Sequence, residues 1–421
     1  MDWVVDRFGK FLKPFEYVIV ASGYLLMAGM IWLMVRLIQI YSNPEFIRAI
    51  KIPPVLPLFP YLPKVFNITF LPPFYFTYWI VILAIIAVSH EFAHGIFARL
   101  NGIKVKSTGF GFLGPFLAAF VEPDEKQIQK AKKFPQLAIL AAGTFANVVM
   151  TVLFGLILWL FFVTSFTAAG VNFNTYGTQA IALGTITSIG GNPISDISEI
   201  PNFVNDSLMR IESGGMVYFI PGERLKTAVE NGIGGVVVFE DSPAVNAQLK
   251  GPILEVDGAR VSNFDELGRA IRAHSPGDTI SLTVLDENEK KQVKELMLGE
   301  RNGEAYLGIG INRPKQEGVG GYLYGLVEHV KDPLIYYEPN YDGNFAWFIY
   351  NLLWWIVLIN FSVALVNMVP VGIFDGGRFF MLTVWGLTGN KKFAERAFKA
   401  TTWAAILVVI WLMLKWVLAF I

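Results

Sequence analysis

Long apolar runs alternate with polar segments along this chain, and the alternation predicts its architecture. Five runs reach the roughly 18 residues that a helix needs to cross a bilayer. We place these runs at about residues 16–41, 74–100, 135–163, 345–369 and 401–421. The residues between the third and the fourth run are rich in Gly, Asp, Glu and Ser and indicate a folded polar insert. The pattern predicts a polytopic α-helical membrane protein with an inserted α+β extramembrane region.

Four shorter stretches lie beside these spans. Residues 42–73 hold many prolines, which interrupt helices and strands, so we expect an irregular loop there. Residues 108–121 are apolar, interrupted by glycines and too short to span, which favours extended strands near the membrane. Residues 379–388 predict a short helix, interfacial or re-entrant, and a basic connector follows it before the last span.

The charge balance excludes some classes of function and suggests an orientation. The chain has 421 residues, of which 54% are hydrophobic and 16% charged, against about 25% charged in soluble domains. The 34 basic residues equal the 34 acidic ones, so nothing argues for a nucleic-acid partner. Basic residues in segments 1–15 and 122–133 predict that both lie in the cytosol of a cell-membrane protein. The polar insert then lies outside the cytosol.

The strongest chemical signal is His90-Glu91-Phe92-Ala93-His94, near the end of the second span. Two histidines four residues apart share one face of a helix, and the glutamate between them can reach what they hold. The alternative is a structural histidine pair with Glu91 as its partner. Ionisable groups at membrane depth are costly and usually functional, so we favour a zinc site. The absence of cysteine excludes thiolate ligands.

A catalytic zinc takes three protein ligands, so a third must come from elsewhere. His274 and His329 lie in or beside the insert and are expected to be ordinary surface residues. The better candidate is Asp375, which follows Pro370 and precedes two glycines. It competes with the interpretation of a plain Asp-Gly turn. The fourth span ends on the same side of the membrane as His94, so the topology allows the three ligands to meet.

Asparagines at membrane depth have two interpretations, hydrogen bonds between helices or contact with a substrate. We expect Asn360 to join helices. Asn367 lies beside the element that carries Asp375, and we predict that it binds substrate.

The insert contains a weak internal repeat. Residues 186–195 resemble residues 253–262, and the register continues to Glu199 and Glu266. The repeat predicts two related β-rich modules, at 165–232 and 233–313, followed by a linker at 314–344. The first module is expected to be degenerate.

Together these motifs resemble the site-2 protease family of intramembrane zinc metalloproteases, in particular its prokaryotic, archaeal-like members. The resemblance rests on His90-Glu91-Phe92-Ala93-His94, on Gly143-Thr144-Phe145-Ala146-Asn147, on Asn367-Met368-Val369-Pro370 and on Asp375-Gly376-Gly377. Thr144 departs from the family, which often has proline there. The insert's Glu240-Asp241-Ser242-Pro243-Ala244, Ser275-Pro276-Gly277-Asp278 and Leu307-Gly308-Ile309 resemble PDZ domains, so both modules are expected to be PDZ-like.

The resemblance implies an enzyme that cleaves peptide bonds within or near transmembrane segments of membrane proteins, in regulated intramembrane proteolysis. Zn²⁺ would be held by His90, His94 and Asp375, and Glu91 would be catalytic. Asn147 and Asn367 would bind substrate. The membrane halves at 1–164 and 345–421 would share the site in the lipid bilayer, with transmembrane proteins as partners. The oligomeric state is not predicted.

Two alternatives remain open at this point. One is a catalytically silent membrane adaptor that binds partners through its PDZ-like modules, against which an intact Glu91 argues. The other is a different membrane-embedded zinc protease, of a kind that takes a glutamate from a later helix as its third ligand. Glu395 is the candidate residue for that role.

Overall fold

The computed structural model describes residues 1–50, 52–66, 68, 71–113, 116–286, 288–312 and 330–420. The chain divides into two compact units. The first, here called the helical unit, combines Met1–Phe161 with Asn344–Ile421, and the second, the insert unit, is Phe162–Gly343.

The described residues form thirteen α-helices. In chain order they are α1 (Asp2–Tyr41), α2 (Pro44–Ile50), α3 (Leu62–Val65), α4 (Phe76–Leu100), α5 (Glu125–Lys130), α6 (Lys133–Ser165), α7 (Ile200–Phe203), α8 (Gly222–Glu230), α9 (Pro243–Asn246), α10 (Phe264–Arg272), α11 (Gly343–Val366), α12 (Asp375–Thr388) and α13 (Lys391–Leu418).

The same residues form eighteen strands. They are β1 (Val105–Leu113), β2 (Phe116–Pro123), β3 (Phe166–Val171), β4 (Thr175–Tyr176), β5 (Thr178–Ala182), β6 (Ile186–Ile189), β7 (Asn192–Pro193), β8 (Leu208–Ser213), β9 (Met216–Pro221), β10 (Gly235–Glu240), β11 (Ile253–Val256), β12 (Ala259–Arg260), β13 (Thr279–Leu285), β14 (Lys291–Met297), β15 (Gly299–Arg301), β16 (Glu304–Tyr306), β17 (Ile309–Gly310) and β18 (Ile335–Pro339).

Five helices among the described residues are long and apolar enough to cross a membrane, as the hydrophobic pattern predicts: α1, α4, α6, α11 and α13. Two of them extend well beyond the predicted spans. The first helix starts at Asp2 rather than near residue 16, with Pro14 inside it. The last starts at Lys391 rather than 401, where the Asn390 side chain accepts a hydrogen bond from Phe393 N at 3.1 Å. Hydrophobicity marks the part that crosses the bilayer, and for the last helix a side-chain cap at Asn390 marks where the helix begins.

A buried apolar cluster joins α1, α4, α6, α11 and α12 within the helical unit. Gly23 of α1 makes room at this junction, because a Cβ there would lie 3.1 Å from Ala141 Cβ and equally close to Phe379. Tyr78 of α4 donates a hydrogen bond to Phe348 O of α11 at 3.0 Å. Buried Glu16 of α1 accepts one from the Asn101 side chain, just after α4, at 2.6 Å. These contacts fix α4 and α12 relative to each other.

The predicted strands near the membrane form an antiparallel hairpin of β1 and β2, in which Thr108 pairs with Val121 and Phe110 with Ala119. The hairpin contacts α4 mainly through β2. Strands over 108–113 and 116–121 are therefore confirmed, and they extend to Val105 and Pro123.

The insert unit contains two larger antiparallel sheets. One has the order β5-β10-β9-β8-β6-β7, and the other has the order β14-β13-β11-β3-β18, with β12 on β11. Both sheets contain strands from each side of the predicted module boundary at 232/233. Strand β10 follows the boundary but belongs to the first sheet, and β3 precedes the boundary but belongs to the second. Strand pairing between distant segments leaves no local sequence signal. Of the predicted linker, β18 pairs with β3, and residues 313–329 lie outside the described residues.

The internal repeat corresponds to equivalent local structures. Strands β6–β7 and β11–β12 form matching hairpins. In the first repeat Ser195 N donates to the Glu199 carboxylate at 3.1 Å, and in the second Ser262 N donates to Glu266 at 2.8 Å. The sequence repeat thus corresponds to a hairpin turn followed by a serine N–H that a glutamate carboxylate caps, present once in each repeat. Whether the modules bind ligands as PDZ domains do stays a prediction.

Candidate metal centre

Helix α4 carries the first two candidate ligands and the candidate base. It runs without interruption to Leu100, and Gly102 follows in the left-handed conformation with φ +70°. That stop is the one expected of an Asn-Gly pair. Because the histidines are four residues apart, His90 and His94 face the same side of α4. His90 is 8% exposed.

Asp375 reaches the histidines from the first turn of α12. The chain reverses sharply after α11, and Gly376 N donates to Asn367 O at 2.7 Å across the reversal. A Cβ at Gly376 would collide with the backbone of Met368, and one at Gly377 with that of Val371. The two glycines after the aspartate therefore permit a close approach of backbone that other residues would block. The aspartate is not part of an exposed Asp-Gly turn.

Three donor atoms converge between α4 and α12. The two histidine Nε2 atoms lie 3.0 Å apart. Asp375 Oδ2 lies 3.2 Å from His90 Nε2 and 3.4 Å from His94 Nε2. Among the described residues these side chains form the group that could hold a metal ion. The Glu395 carboxylate instead lies 3.9 Å from Lys391 Nζ on the exposed side of α13, so the geometry favours Asp375 over Glu395.

The donor set fits zinc. Bonds of about 2.0–2.2 Å at tetrahedral angles separate neighbouring ligand atoms by about 3.3–3.6 Å, close to the three separations found here. Two neutral nitrogens and one carboxylate oxygen leave a fourth position open, as in catalytic zinc sites. Helix α6 passes behind the two histidines, and the residue that faces them is a glycine, Gly143. A Cβ at Gly143 of α6 would lie 2.6 Å from His90 Nε2 and still nearer His94 Nε2.

The outer nitrogens of both imidazoles contact α6. His94 Nδ1 lies 2.7 Å from Ile139 O, so it donates to this carbonyl and leaves Nε2 free for a metal. His90 Nδ1 lies 3.1 Å from the side-chain amide of Asn147. Asn147 is fully buried behind His90. In this structure the Asn147 side chain contacts His90 and has no exposed surface, and its contact with substrate stays a prediction.

Glu91 borders two cavities in the helical unit. One, of about 460 Å³, is also lined by the three donor residues, Asn367 and Arg378. The other, of about 670 Å³, lies between α4 and the β1–β2 hairpin. Val121 N of β2 donates to Glu91 Oε2 at 3.3 Å, which orients the carboxylate between the two spaces. Asn367 lies at the cavity wall, where a substrate could reach it.

The sequence interpretation missed two features of this site. The first is Gly143. Its position four residues before Asn147 can be read from the sequence, but its closeness to the two histidines cannot. The second is Arg378, one helical turn after Asp375. The Arg378 guanidinium forms a bidentate ion pair with the Glu125 carboxylate, at 3.1 and 3.2 Å. In the insert unit His274 Nε2 lies 3.0 Å from Asp257 Oδ2, and His329 lies outside the described residues.

Comparison with known proteins gives two matches. The model of peptidase family M50 matches residues 78–413, which include every residue of the candidate centre. A curated protein of Methanocaldococcus jannaschii, itself uncharacterized, is 47% identical over 76 residues. That match covers 17% of this chain and 20% of the relative.

Proposed function

Because the chain belongs to peptidase family M50, the site-2 protease family of zinc metallopeptidases, we propose that it is an intramembrane zinc metalloprotease. Its substrates in this proposal are membrane proteins, cleaved within or near a transmembrane segment. The observation that carries the proposal is the convergence of His90, His94 and Asp375 at the separations of a zinc site. The five apolar helices support an integral membrane protein.

The proposed roles follow from where each side chain lies. His90, His94 and Asp375 hold the metal. When bound, zinc acts as a Lewis acid that polarises the scissile carbonyl and activates water. Glu91, held by Val121 N beside the donors, takes the proton from the attacking water and passes it to the leaving amine nitrogen. Asn367 at the cavity wall binds the substrate backbone.

A transmembrane substrate must be unwound before it is cut, because a helix shields its carbonyls in internal hydrogen bonds. The cavity between α4 and the β1–β2 hairpin supports a route for this step. Glu91 borders both that cavity and the cavity lined by His90, His94 and Asp375. An extended substrate segment that lies beside the hairpin therefore comes next to Glu91, the proposed general base. Strand addition would supply backbone hydrogen bonds to replace those of the helix.

The orientation belongs to the same proposal. The basic segments at 1–15 and 122–133 support a cytosolic N-terminus and a cytosolic end of α4. The insert unit then lies outside, where its two modules bind a substrate tail or admit only substrates with trimmed ectodomains. Regulated intramembrane proteolysis is the process in which such an enzyme acts.

The test uses the purified full chain and a single-span model substrate in detergent. We expect zinc bound at one per chain and cleavage near the substrate span. Glu91→Gln should bind zinc with unchanged affinity and lose at least about 100-fold in rate, since proton transfer by a positioned group contributes about 10²–10⁴. Normal cleavage by this variant contradicts the mechanism.

A second pair of variants separates this proposal from the alternative zinc protease. Asp375→Asn should abolish zinc retention, and Glu395→Gln should leave it unchanged. The reverse result would assign the third ligand to Glu395. A wild-type chain that binds zinc but cuts no membrane substrate would favour the silent adaptor.

A further inference from the structure

A buried asparagine on α6 occupies a position that the roles assigned above do not explain. Asn147 is 0% exposed, and its side-chain Oδ1 has no hydrogen-bond partner among the residues that the structure describes. An acceptor that is buried without a partner destabilises the folded protein. Its Nδ2 lies 3.1 Å from His90 Nδ1. A residue kept at this cost beside a metal ligand points to a role in the metal site.

The protonation pattern that zinc requires decides which amide atom should face the histidine. A histidine that binds through Nε2 carries its proton on Nδ1, so Nδ1 must donate. In the orientation found here, His90 Nδ1 faces Nδ2, which is itself a donor. Two donors cannot form a hydrogen bond with each other.

A half-turn of the amide removes the conflict. The oxygen and nitrogen of an asparagine side chain are nearly equal in size, and their assignment is inferred from hydrogen bonds. After the half-turn, Oδ1 accepts from His90 Nδ1. No existing bond to Oδ1 is lost, because no group donates to that atom in its present position.

The neighbouring histidine has the matching arrangement already. His94 Nδ1 lies 2.7 Å from Ile139 O. Ile139 and Asn147 are eight residues apart, two turns of the same helix face, and Gly143 lies midway between them. One face of α6 therefore offers an acceptor to each histidine and open space to their inner nitrogens.

We propose that Asn147 is a positioning residue that holds His90 in the Nδ1-protonated form and fixes its ring for the metal. It acts through His90 and touches neither substrate nor metal. The inference rests on the proposed zinc site. It replaces the predicted role of Asn147 in binding substrate.

The experiment compares three variants of the full chain in detergent, with zinc affinity measured by competition with a chelator. Asn147→Leu removes the acceptor at similar volume and should weaken zinc binding about 10- to 100-fold. Asn147→Asp keeps an acceptor and should bind zinc within about threefold of wild type. Excess zinc should restore cleavage by the leucine variant, since a residue that touched substrate would not be rescued by metal.

Asn360→Leu is the matched control. Asn360 is also fully buried in the helical unit, and its Oδ1 also lacks a partner, but its amide donates to Ile356 O of its own helix. Its variant should bind zinc as wild type does. Equal zinc affinity of Asn147→Leu and wild type overturns the proposal, and so does an equal loss in Asn360→Leu.

Two further results keep the test decisive. If Asn147→Leu does not fold, the aspartate variant decides alone, because a loss of zinc there despite an acceptor overturns the proposal. If the wild-type chain binds no zinc, the proposed function fails and not the role of Asn147 alone.

Discussion

The substitution Gly143→Ala tests the metal centre most directly. The added methyl group would lie 2.6 Å from His90 Nε2 and nearer still to His94 Nε2. Unbonded atoms pack at about 3.5 Å. His90 Nε2 would have to move by about 0.9 Å to restore that contact, whereas metal–ligand distances tolerate only about 0.2 Å. A methyl group at this position should therefore displace at least one zinc ligand.

The expected loss is at least 100-fold in zinc affinity, about 2.8 kcal/mol at 1.4 kcal/mol for each factor of ten. Cleavage should fall with it and recover only partly in excess zinc, because the donors no longer converge. Zinc affinity is measured by chelator competition, and cleavage with the single-span substrate. Without metal the imidazoles can turn aside, so the zinc-free variant should unfold within a few degrees of zinc-free wild type.

Gly155→Ala supplies the control on the same helix. Apart from the backbone of its own helix, no described residue beyond its two chain neighbours lies within 4 Å of the Cβ that this substitution adds. Alanine also favours a helix interior by about 1 kcal/mol over glycine. This variant should bind zinc and cut substrate as wild type does. The reasoning is refuted if Gly143→Ala keeps wild-type zinc affinity, or if Gly155→Ala loses as much.

Three further substitutions test the surroundings of the site. Tyr78→Phe removes the part-buried hydrogen bond from the Tyr78 hydroxyl to Phe348 O. The loss should lower the stability of the helical unit by about 0.5–1.5 kcal/mol in thermal unfolding, and an unchanged transition would contradict this contact between α4 and α11. Arg378→Gln breaks the exposed ion pair with Glu125 and should change the free energy of unfolding by less than about 1 kcal/mol. A larger loss would contradict the interpretation of this pair as a surface contact. Asn263→Ala removes the side chain that caps α10 and should destabilise that helix by about 1 kcal/mol, seen as faster amide hydrogen exchange confined to residues 264–272.

The sequence predicted those parts of the site that depend on local spacing. His90 and His94 could be found because helical periodicity alone places them on one face. Asp375 required one further step, the counting of spans, which brings two ends of helices to the same side. Neither step needs the distance between helices, so the sequence alone supports both.

Other features depend on which segments pair, and the sequence does not encode that locally. The boundary at 232/233 followed the internal repeat, but strands β3 and β10 each pair with the sheet beyond it. The repeat itself is visible because a turn and its cap are local, as at Ser262 and Glu266. The role predicted for Asn147 is a related case. Polarity at membrane depth marks a residue as important, but burial decides whether it meets a substrate or a neighbour.

The face of α6 explains why the helix with the two histidines needs this particular neighbour. Ile139 lies beside His94 and Asn147 beside His90, so the order along α6 is the reverse of that along α4 and the two helices are antiparallel. Two histidines one turn apart on α4 can then each contact a group on the facing helix. Those two groups, at Ile139 and Asn147, lie two turns apart, with a small residue midway between them. Gly143 fills that middle position because any side chain there would occupy the place of the donor nitrogens. The spacing of Gly143 and Asn147 is thus the counterpart of the spacing of the histidines, and it gains meaning only once the two helices are known to pack together.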